Sequence, residues 1–386
     1  MRRRVPAWLV ALAAGLLVLL TGWLPREAAA DLASRTGPVL LFLVAITLVS
    51  ELCAGAGLFD VLADRAARLA RGRRPVLWLL VVTLATACTV VLSLDTTAVL
   101  VTPVVIALAR RTRSDPLPFA LTVLALANTA SLLLPVSNLT NLLAADAMGD
   151  GYVGRMWAPA LAVLAATVAG LALLHRRAIV GRYLPSEPQA PRDTIAVALA
   201  GAVVAAMAVC FAAELPVAPV ALAGAAVLGV MTWWRRVPLL SRARDMVPWR
   251  AVVTVAGLFA VVEALHVHGL GAALAAVAGT ADGGDGSLLR VAAVAAVAGN
   301  LVNNLPAFLA LAPAAPDAPA LGAVLVGVNA GPQLTVWASL ATVLWLDQCR
   351  RRLFGVPVGW SVVLRQGAVL APLTVLAGVA ALALTA

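Results

Sequence analysis

The stretch from residue 128 to residue 141 reads NTASLLLPVSNLTN, and it decides the fold class. It lies inside an apolar run, 117–143, that is long enough to cross about 30 Å of hydrocarbon. Pro135 interrupts helical hydrogen bonding in the middle of that run. The amides and hydroxyls around it cannot face lipid, where each unpaired polar group costs several kcal/mol. The stretch therefore predicts an interrupted transmembrane helix whose polar break lines a cavity.

Comparable apolar runs fill the rest of the chain. Of 386 residues, 62% are hydrophobic and 12% are charged, which excludes a soluble or a disordered protein, and four cysteines build no disulfide scaffold. We predict nine crossings, at 6–24, 37–59, 117–143, 155–174, 194–213, 217–234, 250–270, 320–346 and 366–384. Two further apolar stretches, 76–110 and 287–315, are polar at their middle and too short for two crossings, so we predict re-entrant hairpins. The predicted class is an all-α polytopic membrane protein.

The net charge of +10 is interpreted as a topology signal and not as a nucleic-acid footprint. All 28 basic residues are arginines, and this arrangement of crossings puts 24 of them on one side, which is then the cytoplasm. The N-terminus is predicted to be cytoplasmic and the C-terminus outside, in the plasma membrane of a prokaryote. The N-terminal arginines, apolar run and alanines also resemble a signal peptide, and we expect an uncleaved first helix.

The two halves of the chain echo one another. Glu51 matches Glu263, Asn128 matches Asn329, and the two hairpin tips occupy corresponding places. An odd number of crossings separates the two units, so they are inserted upside down relative to each other, as in many secondary transporters. The predicted units are an N-terminal transmembrane helix 1–36, a first inverted repeat 37–175 with hairpin 76–110 and broken helix 117–143, connecting helices and cytoplasmic loops 176–249, and a second inverted repeat 250–386 with hairpin 287–315 and broken helix 320–346.

The polar residues of the hairpin tips and helix breaks are the candidate substrate- or ion-binding residues. They are Asp95, Thr96, Thr97, Asn128, Ser131, Ser137, Asn138, Asn303, Asn304, Asn329 and Thr335. Asparagine, serine and threonine also join transmembrane helices by hydrogen bonds, so these residues have a purely structural interpretation as well. Their clustering at matched positions in both halves favours a transport pathway.

Asp95 is the one carboxylate expected deep in a hairpin tip. Ionisable groups within the membrane mark proton and ion pathways, so we predict that Asp95 carries a coupling proton. The alternative is a carboxyl held in one state by Thr96 and Asn138. Glu51 and Glu263 lie on equivalent crossings and could pair with each other or support the hairpins. No metal site is predicted, because the three histidines lie near helix ends without ligand spacing.

Together these motifs resemble the arsenite/antimonite efflux permeases of the ion transporter superfamily, which also contains divalent-anion/sodium symporters. The likeness rests on 94–103, 128–141 and 328–335 and covers about residues 37 to 384. It implies inverted repeats, a scaffold that often dimerises, and export of trivalent metalloid hydroxides driven by a proton gradient without a cofactor. The candidates above, Thr97 excepted, are the matching residues. Dicarboxylate symporters carry Ser-Asn-Thr at each tip, whereas residues 95–97 here are Asp-Thr-Thr, which disfavours a carboxylate substrate.

The leading interpretation is therefore a secondary transporter that exports arsenite or antimonite in exchange for protons. The alternative is a sodium/proton antiporter or an inorganic or organic anion transporter on the same scaffold. A polytopic membrane enzyme is a distant alternative, because no His-Glu-x-x-His motif occurs. The expected partners are a small inorganic substrate and the lipid bilayer, with no nucleic acid. A homodimer and a soluble ATPase docked on the cytoplasmic loops are left open.

Overall fold

The computed structural model describes residues 7–148, 151–183, 193–213, 215–235, 249–278, 288–353 and 358–385. Within these ranges the chain forms helices joined by short turns and contains no named β-strand. The prediction of an all-helical chain is confirmed. Some of the arginines that were counted to assign the cytoplasmic side lie outside the described residues, namely Arg2, Arg3, Arg4, Arg192, Arg236, Arg242 and Arg244.

The helices of the first part of the chain are α1 (Ala7–Leu20), α2 (Arg26–Gly55), α3 (Leu58–Leu69), α4 (Arg74–Val91), α5 (Leu94–Thr96), α6 (Thr102–Arg111), α7 (Pro116–Thr129), α8 (Leu139–Met148), α9 (Tyr152–Leu174) and α10 (Arg176–Ile179). They are followed by α11 (Thr194–Ala212), α12 (Val217–Trp234), α13 (Trp249–Val267), α14 (Leu270–Ala278), α15 (Leu288–Val302), α16 (Asn304–Leu311), α17 (Ala318–Ala330), α18 (Leu340–Arg352) and α19 (Trp360–Thr385). Six of the described helices, α2, α4, α9, α11, α12 and α19, are long and apolar enough to cross a membrane.

The predicted boundary at residue 36 falls inside a helix. α2 begins at Arg26, directly after Pro25, and not at the start of the apolar run. The alanines of 28–33 favour helix, so the chain becomes helical before it becomes continuously apolar. α1 has only 14 residues and packs along α13, where Gly15 and Gly257 bring the two backbones into contact.

Two helical hairpins turn at strained residues. Ser93, between α4 and α5, has a φ of 142°, and Asn303, between α15 and α16, has a φ of 106°. Side chains other than glycine rarely adopt these angles. Each residue offsets the strain by capping the helix that follows, because its side-chain oxygen accepts a hydrogen bond from Thr96 N or Leu305 N respectively. The first arm, α4, has 18 residues and is itself long enough to span, so the re-entrant depth of this hairpin stays a prediction.

Two further helices are interrupted at their middle. Residues 130–138 separate α7 from α8, and residues 331–339 separate α17 from α18. Pro135 and Pro332 lie in these breaks and lack the N–H that a continuous helix needs. The second half-helix of each pair packs against the hairpin of the other half of the chain: α18 contacts α5 and α6, and α8 contacts α16. The two halves are thereby interlocked.

Hydrogen bonds between loops gather arginines at one end of the molecule. Arg74, at the start of α4, donates to the carbonyl of Arg113 at 3.2 Å, so the first hairpin begins and ends at the same level. Arg110 donates to the carbonyl of Arg352 at the end of α18. Segments that are distant in sequence and rich in arginine therefore share one face, which is the arrangement that the positive-inside rule requires.

Close backbone packing around the second break gives a first prediction. A Cβ on Gly367 of α19 would overlap the carbonyl of Gln333, whereas a Cβ on Gly229 of α12 would meet open space. We expect Gly367→Ala to lower the free energy of unfolding by about 1–3 kcal/mol, because the break must shift. Gly229→Ala is the control and should be neutral or stabilising, since alanine favours helix. Thermal unfolding of both purified variants measures the difference, and equal unfolding temperatures would contradict the expectation.

Candidate functional site

The last turn of α17 places Asn329 against the break between α7 and α8. Its Oδ1 accepts a hydrogen bond from the Asn138 amide and lies 3.4 Å from the hydroxyl oxygens of Ser131 and Thr140. Its Nδ2 donates to Oδ1 of Asn141 at 3.0 Å and to a carbonyl one turn earlier in α17 at 2.9 Å. All five residues are buried. We call them the Asn329 cluster, and it joins the two halves of the chain through uncharged groups alone.

The first break is held in place by its own polar side chains. Asn141 donates to the carbonyl of Ser131, and the Ser131 hydroxyl donates to the carbonyl of Asn128 at 2.7 Å. Ser137 donates to the carbonyl of Val90 at 2.8 Å, close to the tip of the first hairpin. These bonds satisfy backbone groups that the broken helix leaves free. The break and the first hairpin tip therefore adjoin each other.

Hydroxyl groups fill the tip of the first hairpin. Thr96 Oγ1 lies 3.0 Å from Ser93 Oγ and 3.0 Å from Ser50 Oγ of α2. Thr97 Oγ1 donates to the carbonyl of Ser93 at 3.1 Å and accepts from Thr89 Oγ1 at 3.0 Å. The predicted residues Thr96 and Thr97 thus hold the tip together and tie it to α2.

Asp95 lies in this tip with a different environment. Its Oδ1 is buried and has no hydrogen-bond partner among the described residues. Thr96 bonds to Ser93 and Ser50, and Asn138 bonds to Asn329, so no described hydrogen bond joins either of them to the Asp95 carboxyl. The Oδ1 atom is therefore not held by any described side chain.

The predicted residues of the second half connect its hairpin tip to its break. Asn303 Nδ2 donates to the carbonyl of Trp337 at 2.9 Å, and the Asn304 backbone N–H donates to the carbonyl of Ala338 at 2.8 Å. Thr335 Oγ1 donates to the carbonyl of Asn300 at 2.9 Å. All three contacts are to backbone carbonyls, which suits a role in shaping the break.

Asn300 is a residue that the sequence reasoning missed. Its Nδ2 donates to the carbonyl of Gly331 at 2.9 Å, and its Oδ1 accepts from the N–H of Leu334 at 2.9 Å. One amide thus pairs two free backbone groups of the second break. Its position one helical turn before Asn303 and Asn304 was the available signal. Asn141 and Thr140 of the Asn329 cluster were missed in the same way, although they belong to the motif that predicted the break.

Asn128, the counterpart of Asn329, does not join the Asn329 cluster. Its Nδ2 donates to the carbonyl of Leu124 at 3.2 Å, within its own helix. It lines a small cavity whose other polar walls are Gln333, Thr342 and Gln366. The predicted residues are therefore distributed over the two hairpin tips, the Asn329 cluster and this separate cavity.

The two glutamates do not form a pair. Glu263 forms an ion pair with Arg35 of α2, at 3.5 Å. Glu51 is sixteen residues beyond Arg35 in α2, which places it roughly 24 Å from Arg35 by helical rise.

Arg35, Glu263 and His266 line an otherwise mostly apolar cavity of about 560 Å³ between α2, α8, α12, α13 and α16. His266 Nε2 lies 2.9 Å from the carbonyl of Leu309 on α16. Glu263 therefore belongs to a charged cavity wall rather than to a carboxylate pair.

Comparison with known proteins agrees with this architecture. The profile of a family described as citrate transporter, CitMHS, matches residues 1–342. The arsenical pump membrane proteins of Escherichia coli (strain K12) and Yersinia enterocolitica are 28% and 29% identical over an alignment of 365 residues; the alignment covers 88% of this chain and 85% of each relative. The crystal structure of the Alcanivorax borkumensis YdaH transporter shares the fold, with a TM-score of 0.59 and 16% identity over 96% of this chain and 88% of that one.

These matches confirm the resemblance to the ion transporter superfamily and to its arsenical branch. The proteins matched are membrane transporters, so the chain is a multi-pass membrane transporter and not an enzyme. Since the family profile covers most of the sequence, the chain belongs to the citrate transporter family, CitMHS.

Proposed function

We propose that this chain exports arsenite or antimonite across the plasma membrane of a prokaryote in exchange for protons. The observation that carries the proposal is the Asn329 cluster, in which buried amides and hydroxyls from both halves meet without a charged group. Arsenous acid is neutral near physiological pH and presents three hydroxyl groups. Those hydroxyls can exchange with the hydrogen bonds of the cluster as donors and as acceptors.

A carboxylate substrate fits this chemistry less well, although the family is described as citrate transporters. A polyanion buried in the membrane needs cationic partners to offset its desolvation. The hydrogen bonds described for the Asn329 cluster involve no arginine. The relatives named arsenical pump membrane proteins support the same choice of substrate.

Asp95 is proposed as the proton carrier. Its carboxyl oxygen is buried without a partner, at a hairpin tip that adjoins the first break through Ser137. A carboxyl in this position can be protonated from one side of the membrane and deprotonated to the other when access alternates. Proton entry would then drive metalloid exit.

Two inverted repeats are proposed as the basis of that alternation. The interlocking of α18 with the first hairpin and of α8 with the second supports repeats related by an approximate two-fold axis. The arginine-rich end supports a cytoplasmic N-terminus and an external C-terminus. The 560 Å³ cavity reaches Leu142, one turn after Asn138, and supports an access route to the Asn329 cluster. A homodimer and a soluble ATPase partner stay predictions from the resemblance.

The proposal is tested in everted membrane vesicles that contain the full chain. With an imposed proton gradient, we expect uptake of arsenite and antimonite that stops when the gradient is collapsed, and no uptake of sodium or citrate. Vesicles without the protein are the control. Gradient-driven sodium uptake would favour the antiporter alternative, and citrate uptake without arsenite uptake would replace the proposed substrate.

A further inference from the structure

The two helix breaks correspond position by position but differ in the size of their side chains. In the first break, Asn138 and Asn141 extend to Asn329 and fill the space beside it. The residues at the matched positions of the second break, 201 further along the sequence, are Ser339 and Thr342. Serine and threonine are shorter than asparagine, so the polar side chains that meet Asn329 in one half have smaller counterparts in the other.

The space left on that side is a cavity of about 10 Å³ lined by Leu124, Asn128, Gln333, Thr342, Val363, Gln366 and Gly367. A volume of this size is enough for one water-sized group. Four of the lining side chains are polar, and Asn128, Gln333, Thr342 and Gln366 are all nine-tenths or more buried. An apolar void of this volume would stay empty, whereas a polar one retains a hydrogen-bonding guest.

The hydrogen bonds around the cavity fix what it offers to a guest. Gln366 Nε2 donates to the carbonyl of Leu121 at 3.1 Å, and its Oε1 lies 2.9 Å from Nε2 of His175. A primary amide nitrogen has two N–H groups, so one donor of Gln366 is left over. Gln333 Nε2 donates to the carbonyl of Ala330 at 2.6 Å and to Thr374 Oγ1 at 3.4 Å, so both of its N–H groups are used. Asn128 Nδ2 donates to the carbonyl of Leu124 at 3.2 Å and keeps one N–H. Thr342 Oγ1 lies 2.9 Å from Ser339 Oγ, so its hydroxyl is shared with that neighbour.

The amide oxygens of Gln333 and Asn128 add two acceptors to the N–H that Gln366 has left over. Two amide oxygens, one N–H each from Gln366 and Asn128, and the Thr342 hydroxyl that is shared with Ser339 suit a group that both donates and accepts hydrogen bonds. That requirement is met by a hydroxyl or a water, and not by a cation or a carboxylate.

We infer that this cavity is a hydroxyl-binding subsite, which holds a water in the empty transporter and a hydroxyl of the neutral solute while the solute is carried. The inference rests on the proposed function for the solute, but the subsite itself rests on the cavity. It accounts for the difference between the two breaks, since bonded amides surround Asn329 whereas a cavity lies beside Asn128. Thr342 sets the difference, because the asparagine found at its matched position would occupy the cavity.

The test replaces Thr342 in the full-length protein. Thr342→Asn fills the cavity, and Thr342→Val keeps the volume but removes the hydroxyl. Thr232→Val is the matched control, since Thr232 is equally buried and its hydroxyl bonds only to a carbonyl of its own helix. We expect both Thr342 variants to lose arsenite uptake by about tenfold, as removal of a hydrogen-bonding partner from a buried polar site implies. Their unfolding temperatures should match that of the control variant.

A high-resolution map separates the water from the solute. We expect one ordered water in the cavity of the wild type, and no water in Thr342→Asn. Wild-type uptake by a folded Thr342→Asn, or an empty cavity in the wild-type map, would overturn the inference. If Thr342→Asn does not fold, Thr342→Val decides, and unchanged uptake by that variant overturns the inference too. Failure of the wild type to carry arsenite would refute the proposed substrate alone. The ordered water of the wild type, and its absence from Thr342→Asn, are both observed without any solute.

Discussion

Replacement of Asp95 by asparagine is expected to abolish proton-coupled efflux while the protein stays folded and inserted. Asparagine has the size of a neutral aspartic acid but cannot bind and release a proton. The Asp95 Oδ1 has no hydrogen-bond partner among the described residues, so the substitution breaks no described contact of that atom. The neighbouring Thr96 and Thr97 are held by Ser93, Ser50 and Thr89, and this network should persist.

The measurement is arsenite uptake into everted vesicles as the imposed pH gradient is varied. The wild type should respond steeply to the gradient, and Asp95→Asn should not respond, although exchange of arsenite down its own gradient can persist. Asp317→Asn is the control, because Asp317 caps α17 through Ala320 N and asparagine caps equally well. A variant at Asp95 that still concentrates arsenite with an unchanged dependence on the gradient would exclude this residue as the proton carrier.

The sequence predicts where helices are interrupted better than it predicts which polar groups meet. Proline and asparagine within long apolar runs can be recognised from their types alone, since each has a known cost in an intact transmembrane helix. The breaks at 130–138 and 331–339 lie at such residues. The start of α2 at Arg26 could not be recognised in this way. Residues 26–36 are polar and also helical, and hydropathy measures only their polarity.

The partners of the polar groups depend on helix packing that a single sequence does not contain. The alternative interpretation of Asp95 has Asn138 hold its carboxyl, yet Asn138 bonds to Asn329 of the other half. Glu51 and Glu263 occupy corresponding positions in the sequence, yet Glu263 pairs with Arg35 whereas Glu51 lies sixteen residues beyond Arg35 in α2. In an inverted repeat, matched residues meet only near the two-fold axis. The correspondence in sequence therefore marked both helix breaks, but it predicted neither the partners of the glutamates nor those of Asn128 and Asn329.

The second large effect concerns Asn329. Its side chain is the partner of four others, so Asn329→Ala would leave the amides of Asn138 and Asn141 without it in a buried site. A buried polar group that loses its partner costs about 1–3 kcal/mol. We therefore expect Asn329→Ala to lower stability as well as flux. A residue that only bound substrate would instead lose flux with little change in stability.

Asn128→Ala is the matched control, because Asn128 occupies the corresponding position and bonds only within its own helix. We expect Asn128→Ala to reduce arsenite uptake with a small change in unfolding temperature, and Asn329→Ala to reduce both. Thermal unfolding of the purified variants and uptake in vesicles give the two quantities separately. Equal stability of the two variants would mean that the Asn329 amide is not needed to hold the halves together. The cluster would then act on the substrate alone and would not also be a structural contact between the halves.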